Sequence, residues 1–130
     1  MNLIKEISNP EQLSRMFSSE FSLENIELSA ILLQDGPNIK IMFNKLQMPA
    51  HFPEKWKKNG FNALSFCLEF ANLRNVRITE WNPAELCNPK IYKKNNLYFL
   101  SISKGENEYI YCESEFLYLT EVSGYIDERI

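Results

Sequence analysis

Apolar and polar positions alternate with a period of two along most of this chain, and with a helical period only near its start. Asn9-Pro10-Glu11-Gln12 reads as an N-cap, a proline at the first helical position, an acid near the positive dipole end and a capping-box glutamine. Leu13, Met16 and Phe17 follow at i, i+3 and i+4, which predicts a short helix over residues 10–18, broken by Ser18-Ser19-Glu20. In Asn25–Gln34, Ile26, Leu28, Ala30 and Leu32 share one face, and Ile31 and Leu33 add apolar weight to the other. Asp35-Gly36-Pro37-Asn38 is a strong turn signal, after which Ile39, Ile41 and Phe43 alternate with Lys40, Met42 and Asn44. The two runs and their loop predict a β-hairpin.

Residues 45–60 are less regular, with Pro49 and Pro53 around Ala50, His51 and Phe52. Glu54–Asn59 reads as one turn of helix closed by Gly60, with Trp56 covering the end of a sheet. Phe61–Ala71 is the clearest strand: Leu64, Phe66, Leu68 and Phe70 point one way, and Ala63, Ser65, Cys67, Glu69 and Ala71 the other. A bend over 72–75 precedes a further strand in which Val76, Ile78 and Glu80 alternate with Arg77, Thr79 and Trp81. After a loop fenced by two Asn-Pro pairs, a weak strand at Ile91 and Tyr92 ends at Lys93-Lys94-Asn95-Asn96. Leu97–Ser103 and Tyr109–Glu113 form a second hairpin across Lys104–Glu108, and Phe116–Thr120 and Val122–Ile126 add one or two closing strands. The fold class this predicts is mainly all-β: an antiparallel two-sheet sandwich or open barrel of about eight strands with one short N-terminal helix. No repeat or linker divides residues 1–130, so one domain is expected.

Composition changes this picture little: 45% hydrophobic and 24% charged residues are ordinary for a globular domain and exclude collagen, coiled coil and general disorder. No apolar run approaches the roughly 18 residues of a membrane span. Residues 1–20 carry Lys5, Glu6, Glu11 and Arg15 and no apolar core, so no signal peptide is expected. Cys67, Cys87 and Cys112 are odd in number and lack metal-ligand spacing, which predicts reduced thiols in a cytoplasmic protein and no metal. Charge adds more. The net charge is −3, but residues 1–35 hold two basic and six acidic groups, 36–103 ten and four, and 104–130 two and seven. If the fold brings the acidic ends together, they form a negative face able to steer a basic partner; otherwise they solvate strand edges.

Candidate chemistry is sparse. His51, the one histidine, lies between two prolines with no nucleophile signature around it. Glu69 and Glu80 are a weak carboxylate pair, and the isolated glycines at 36, 60, 105 and 124 build no phosphate loop. The reading is therefore non-enzymatic, without cofactor. Two alternatives stand beside it. One is a ligand-binding or enzymatic β-barrel with a pocket lined by Tyr98, Tyr109 and Tyr111 and a polar group such as His51. The other is a single-stranded nucleic-acid module using Lys55, Trp56, Lys57 and Lys58, disfavoured by the acidic net charge.

Pro53-Glu54-Lys55-Trp56, the strand start Gly60-Phe61-Asn62-Ala63-Leu64-Ser65-Phe66-Cys67-Leu68-Glu69-Phe70, and Val76-Arg77-Ile78-Thr79-Glu80-Trp81 resemble the immunity protein 50 family of bacterial polymorphic toxin systems. Asp35-Gly36-Pro37 and Ser123-Gly124-Tyr125 are similar too, so the likeness spans about residues 28–126. The resemblance implies a small, mainly β cytoplasmic protein that binds a cognate secreted toxin domain and occludes its active site; it carries no catalytic residues. With that function, the acidic outer segments are the expected partner-binding groups: Glu20, Glu24, Glu27, Asp35, Glu106, Glu108, Glu113 and Glu115. Asp35, Glu106 and Glu108 act together only if the two hairpin turns lie at one end. Neither membrane nor nucleic acid is expected as a partner. An open sheet edge for strand addition is expected in Phe116–Ile126.

Overall fold

The computed structural model describes residues 23–46, 54–81 and 85–129. Among the described residues there are seven strands: β1 (Ile26–Gln34), β2 (Asn38–Lys45), β3 (Ala63–Ile78), β4 (Leu86–Cys87), β5 (Lys90–Lys94), β6 (Leu97–Lys104) and β7 (Asn107–Tyr125). They form one antiparallel sheet in the order β4-β1-β2-β3-β7-β6-β5, curled into a half-barrel rather than divided into two sheets. The one helix among the described residues is α1 (Glu54–Lys58). The helix expected over 10–18 lies outside the described residues.

The frame is a long ladder of β3 and β7, with Ala63 opposite Tyr125 at one end and Ile78 opposite Ile110 at the other. Two hairpins attach to it diagonally. β2 pairs with only the first half of β3, from Lys45↔Leu64 to Asn38↔Ala71. β6 pairs with only the first half of β7, from Lys104↔Asn107 to Tyr98↔Ser114. The expected bend over 72–75 is a bulge within continuous β3, and the expected closing strands merge into the 19 residues of β7.

Where the ladder passes from one hairpin to the other, both strands change face together. On β3, Phe70 and Leu73 both point to the core; on β7, so do Ser114 and Leu117. Asn72 takes up the extra turn with φ +59°, a conformation asparagine tolerates. Its side chain donates to Glu115 at 2.9 Å, and Arg74 pairs with the same carboxylate. Ser114 Oγ donates to the Phe116 carbonyl at 2.9 Å, so the kink is held by polar bonds on both strands.

A second bulge, at Ser29, overturns the face pattern expected for β1. The register runs Leu28↔Phe43, then Ala30↔Met42 and Ile31↔Ile41. Ile31, not Leu32, therefore continues the buried row of Ile26 and Leu28, and Leu32 is left 51% exposed. The buried rows otherwise follow the alternation: Ile39, Ile41 and Phe43 on β2, Leu64, Phe66, Leu68 and Phe70 on β3, and Leu100 and Ile102 on β6.

Turn chemistry fits each corner. Asn95 and Asn96 both have positive φ, as a two-residue type I′ hairpin between β5 and β6 requires. Gly60 (φ +70°) ends α1 in a Schellman pattern: Phe61 N–H donates to the Trp56 carbonyl and Gly60 N–H to that of Lys57. Trp56 is thereby turned inward, 6% exposed, with its ring centroid 6.4 Å from that of Phe61.

Candidate interaction surface

The eight acidic positions separate by environment. Glu20 lies outside the described residues. Glu24 is exposed and acts electrostatically on buried Lys45, raising a pKa that burial lowers. Glu27 is buried and accepts two bonds from Arg129, at 2.6 and 2.9 Å, which tie the chain's last turn to the start of β1. Arg129 also bonds Asp127, whose carboxyl it holds down at about 2. Glu108 pairs with Arg77 at 2.9 Å and accepts from Ser101, and Glu113 accepts the Tyr111 hydroxyl. Glu115 is bonded by Arg74 and Asn72, which lower its pKa. Asp35 and Glu106 stand exposed at the hairpin tips, with no ion pair among the described residues.

Among the described residues the two acidic ends meet at Glu27 and Asp127, with Arg129 bonded to both. Antiparallel pairing lays acidic β7 beside β3, whose Arg74 and Arg77 answer Glu115 and Glu108. The two tips point the same way along the sheet but at different levels. The β1–β2 turn is level with the ladder kink, where Leu73 N–H donates to the Pro37 carbonyl at 2.9 Å; the β6–β7 turn lies beyond Ile78.

The other candidates disperse. His51 lies outside the described residues. Glu69 accepts from Asn38 within the sheet, and Glu80 follows the far end of β3. Trp56 is buried, so the Lys55–Lys58 run has no free stacking ring in its middle. Tyr98, Tyr109 and Tyr111 do not share a pocket: the last two line a recess of about 40 Å³, and Tyr98 lines a separate groove. Burial pushes the Cys87 thiol up to about 11 and the Cys112 thiol to about 12, and raises Cys67 as well, which suppresses thiolate chemistry. Among the described residues, no group of three or more His, Cys, Asp or Glu side chains is arranged to hold a metal, and no helix is long and apolar enough to cross a membrane.

Among the described residues a groove of about 1030 Å³ lies beside the kink. Arg74, Glu115, Phe116 and Tyr118 reach it from the outer face of the sheet, while Lys93 and Tyr98 reach it from the core-facing side. Asn95, Asn96 and Leu97 form its end wall. A groove lined from both faces of a sheet must lie at an edge. This one lies where the pairing of β6 with β7 ends, at Tyr98↔Ser114. Phe116 is 43% exposed and stacks on Tyr118, with ring centroids 6.0 Å apart. Lys93 sits over the Tyr98 ring at 5.1 Å. Sequence alternation placed Phe116 and Tyr118 in a closing strand but missed Arg74 and Lys93, which only the kink and the β5–β6 turn bring to the groove.

A family model described as Immunity protein 50 matches residues 9–125. The chain belongs to the Immunity protein 50 family. No curated protein and no solved structure matches it. In this Immunity protein 50 chain the motifs around Trp56, Phe61-Asn62 and Gly124 meet in one place, whereas Asp35-Gly36-Pro37 and Val76–Trp81 lie elsewhere along the sheet. Gly124 faces the rings of Trp56 and Phe61. Asn62 accepts from Asp127 N–H at 2.7 Å and donates to the Asp127 carbonyl at 3.0 Å, while Asn62 N–H donates to Tyr125. These residues fasten α1 and the final turn to the lower end of the ladder.

Proposed function

We propose that this immunity protein binds a cognate secreted toxin domain in the cytoplasm of the cell that makes it, and neutralises it without catalysis by covering its active site. Membership of the Immunity protein 50 family is the observation that carries this reading. The buried, protonated thiols and the internally paired carboxylates support it, since occlusion needs a shaped surface and no reactive group. Of the acidic positions, Asp35 and Glu106 are proposed as the steering charges, because Glu27, Glu108 and Glu115 are already engaged with arginines.

The test mixes purified chain with the toxin domain secreted by the producing cell. A stoichiometric complex with lost toxin activity is expected. Full activity in excess chain would overturn the proposal.

A further inference from the structure

The two ends of the sheet are finished differently. At one end β5 carries Lys90, Lys93 and Lys94, all exposed, and lysines along an edge discourage a second strand. At the other end the two residues of β4 cover only Ile26 and Glu27 of β1. Beyond them β1 is itself the edge: Leu28 and Ala30–Gln34 pair with β2 on one side, and among the described residues no strand pairs with them on the other. None of residues 28–34 is charged and none is proline, so this edge lacks the guard that β5 has. Leu32 is 51% exposed on the outer face, beside Lys40, and Leu33 is 56% exposed on the core-facing side, beside buried Ile39. Neighbouring leucines open on both faces mark an uncovered edge; a ligand lying on one face reaches only one of them. An added strand reaches both, because its own side chains alternate between the faces while its backbone meets the free N–H and C=O groups.

Asp35 decides between occupants. It follows the edge directly, stands exposed and has no ion pair among the described residues. The β1 strand of a second copy brings no cation to answer it, and two chains of net charge −3 repel one another. A basic partner supplies the missing charge. We propose that an extended apolar segment of the toxin domain adds to the Ala30–Gln34 edge of β1 as an extra strand, with a lysine or arginine facing Asp35. This rests on the toxin-binding reading above and adds where the toxin is gripped and by what chemistry.

Hydrogen exchange on the full chain, with and without the toxin domain, tests it. In the free chain at low concentration the outward amides of Ala30–Gln34 exchange fast, and in the complex about tenfold slower or more. Leu32→Lys with Leu33→Lys gives this edge the lysine guard of β5. The pair weakens the complex about tenfold or more, and leaves the circular dichroism spectrum and urea midpoint of the free chain unchanged because both side chains are already exposed. Asp35→Asn weakens the complex too, more at low salt than at high salt. A complex that forms without protecting these amides, or that tolerates the two lysines, overturns the strand addition and leaves the toxin-binding reading intact. An Asp35→Asn effect that ignores salt overturns the basic contact. Absence of any complex with the unaltered chain overturns both readings. Protection already present in the free chain, or appearing as the chain alone is concentrated, overturns the proposal by giving the edge to the chain itself or to a second copy.

Discussion

Gly124 has no room for a side chain: a Cβ there would stand 2.7 Å from Phe61 Cδ2 and 3.0 Å from two Trp56 ring atoms. Gly124→Ala is expected to destabilise the fold by about 1–3 kcal/mol through overpacking, read from the midpoint of urea unfolding. An unchanged midpoint would mean that α1 shifts aside at no cost. At the same end of the ladder, Asp127 makes stability depend on acid. Its carboxyl is held at about 2, below the ordinary 3.8, so its bond to Arg129 stabilises fully above about pH 4 and is lost as pH falls through 2. The stability gap between the unaltered chain and Asp127→Asn should narrow from pH 4 to pH 2; a constant gap would contradict the assignment. The three thiols should ignore an aromatic disulfide reagent at pH 8 until the chain is unfolded, because burial raises all three. The inward turn of Trp56 was legible from Gly60 closing its helix, whereas the Arg129–Glu27 bond joins residues with no pattern between them.

Alternation predicted the strands well and their faces less well, for a definable reason. A bulge adds one residue without changing composition, and every side chain after it changes face. Leu32 illustrates this: parity from Ile26 places it in the core, but Ser29 intervenes and Ile31 takes the place opposite Ile41. The kink at Asn72 read as a bend because asparagines cluster there, and only cross-strand pairing shows the strand continuing through it. Asn72→Val forces a β-branched residue to φ +59° and should cost about 1–2 kcal/mol. Asn72→Gly keeps the dihedral while losing the bond to Glu115, so its smaller loss in urea unfolding would separate the backbone contribution from the side-chain one.

Across the whole molecule, the acidic ends and basic middle were visible in the sequence, but their partial cancellation was not. It depends on β7 lying beside β3, a pairing between residues 32 to 62 positions apart. Charge reversal should therefore divide into two classes. Asp35→Lys with Glu106→Lys should slow toxin association and flatten its salt dependence while leaving unfolding unchanged. Glu115→Lys should lower the unfolding midpoint, because it sets a cation against Arg74 and breaks the kink. An association rate unmoved by the double reversal would remove the tips from the interface.

The diagonal placement of the hairpins also sets an order of assembly. β1–β2 and β5–β6 close across tight turns and can form early, whereas the long ladder must join distant segments and waits on a costly loop closure. The groove beside the Asn95–Asn96 turn takes shape only when that late step is complete. Native tryptophan fluorescence, which reports Trp56 at the lower end of the ladder, should appear in one phase on the millisecond-to-second scale typical of β topologies.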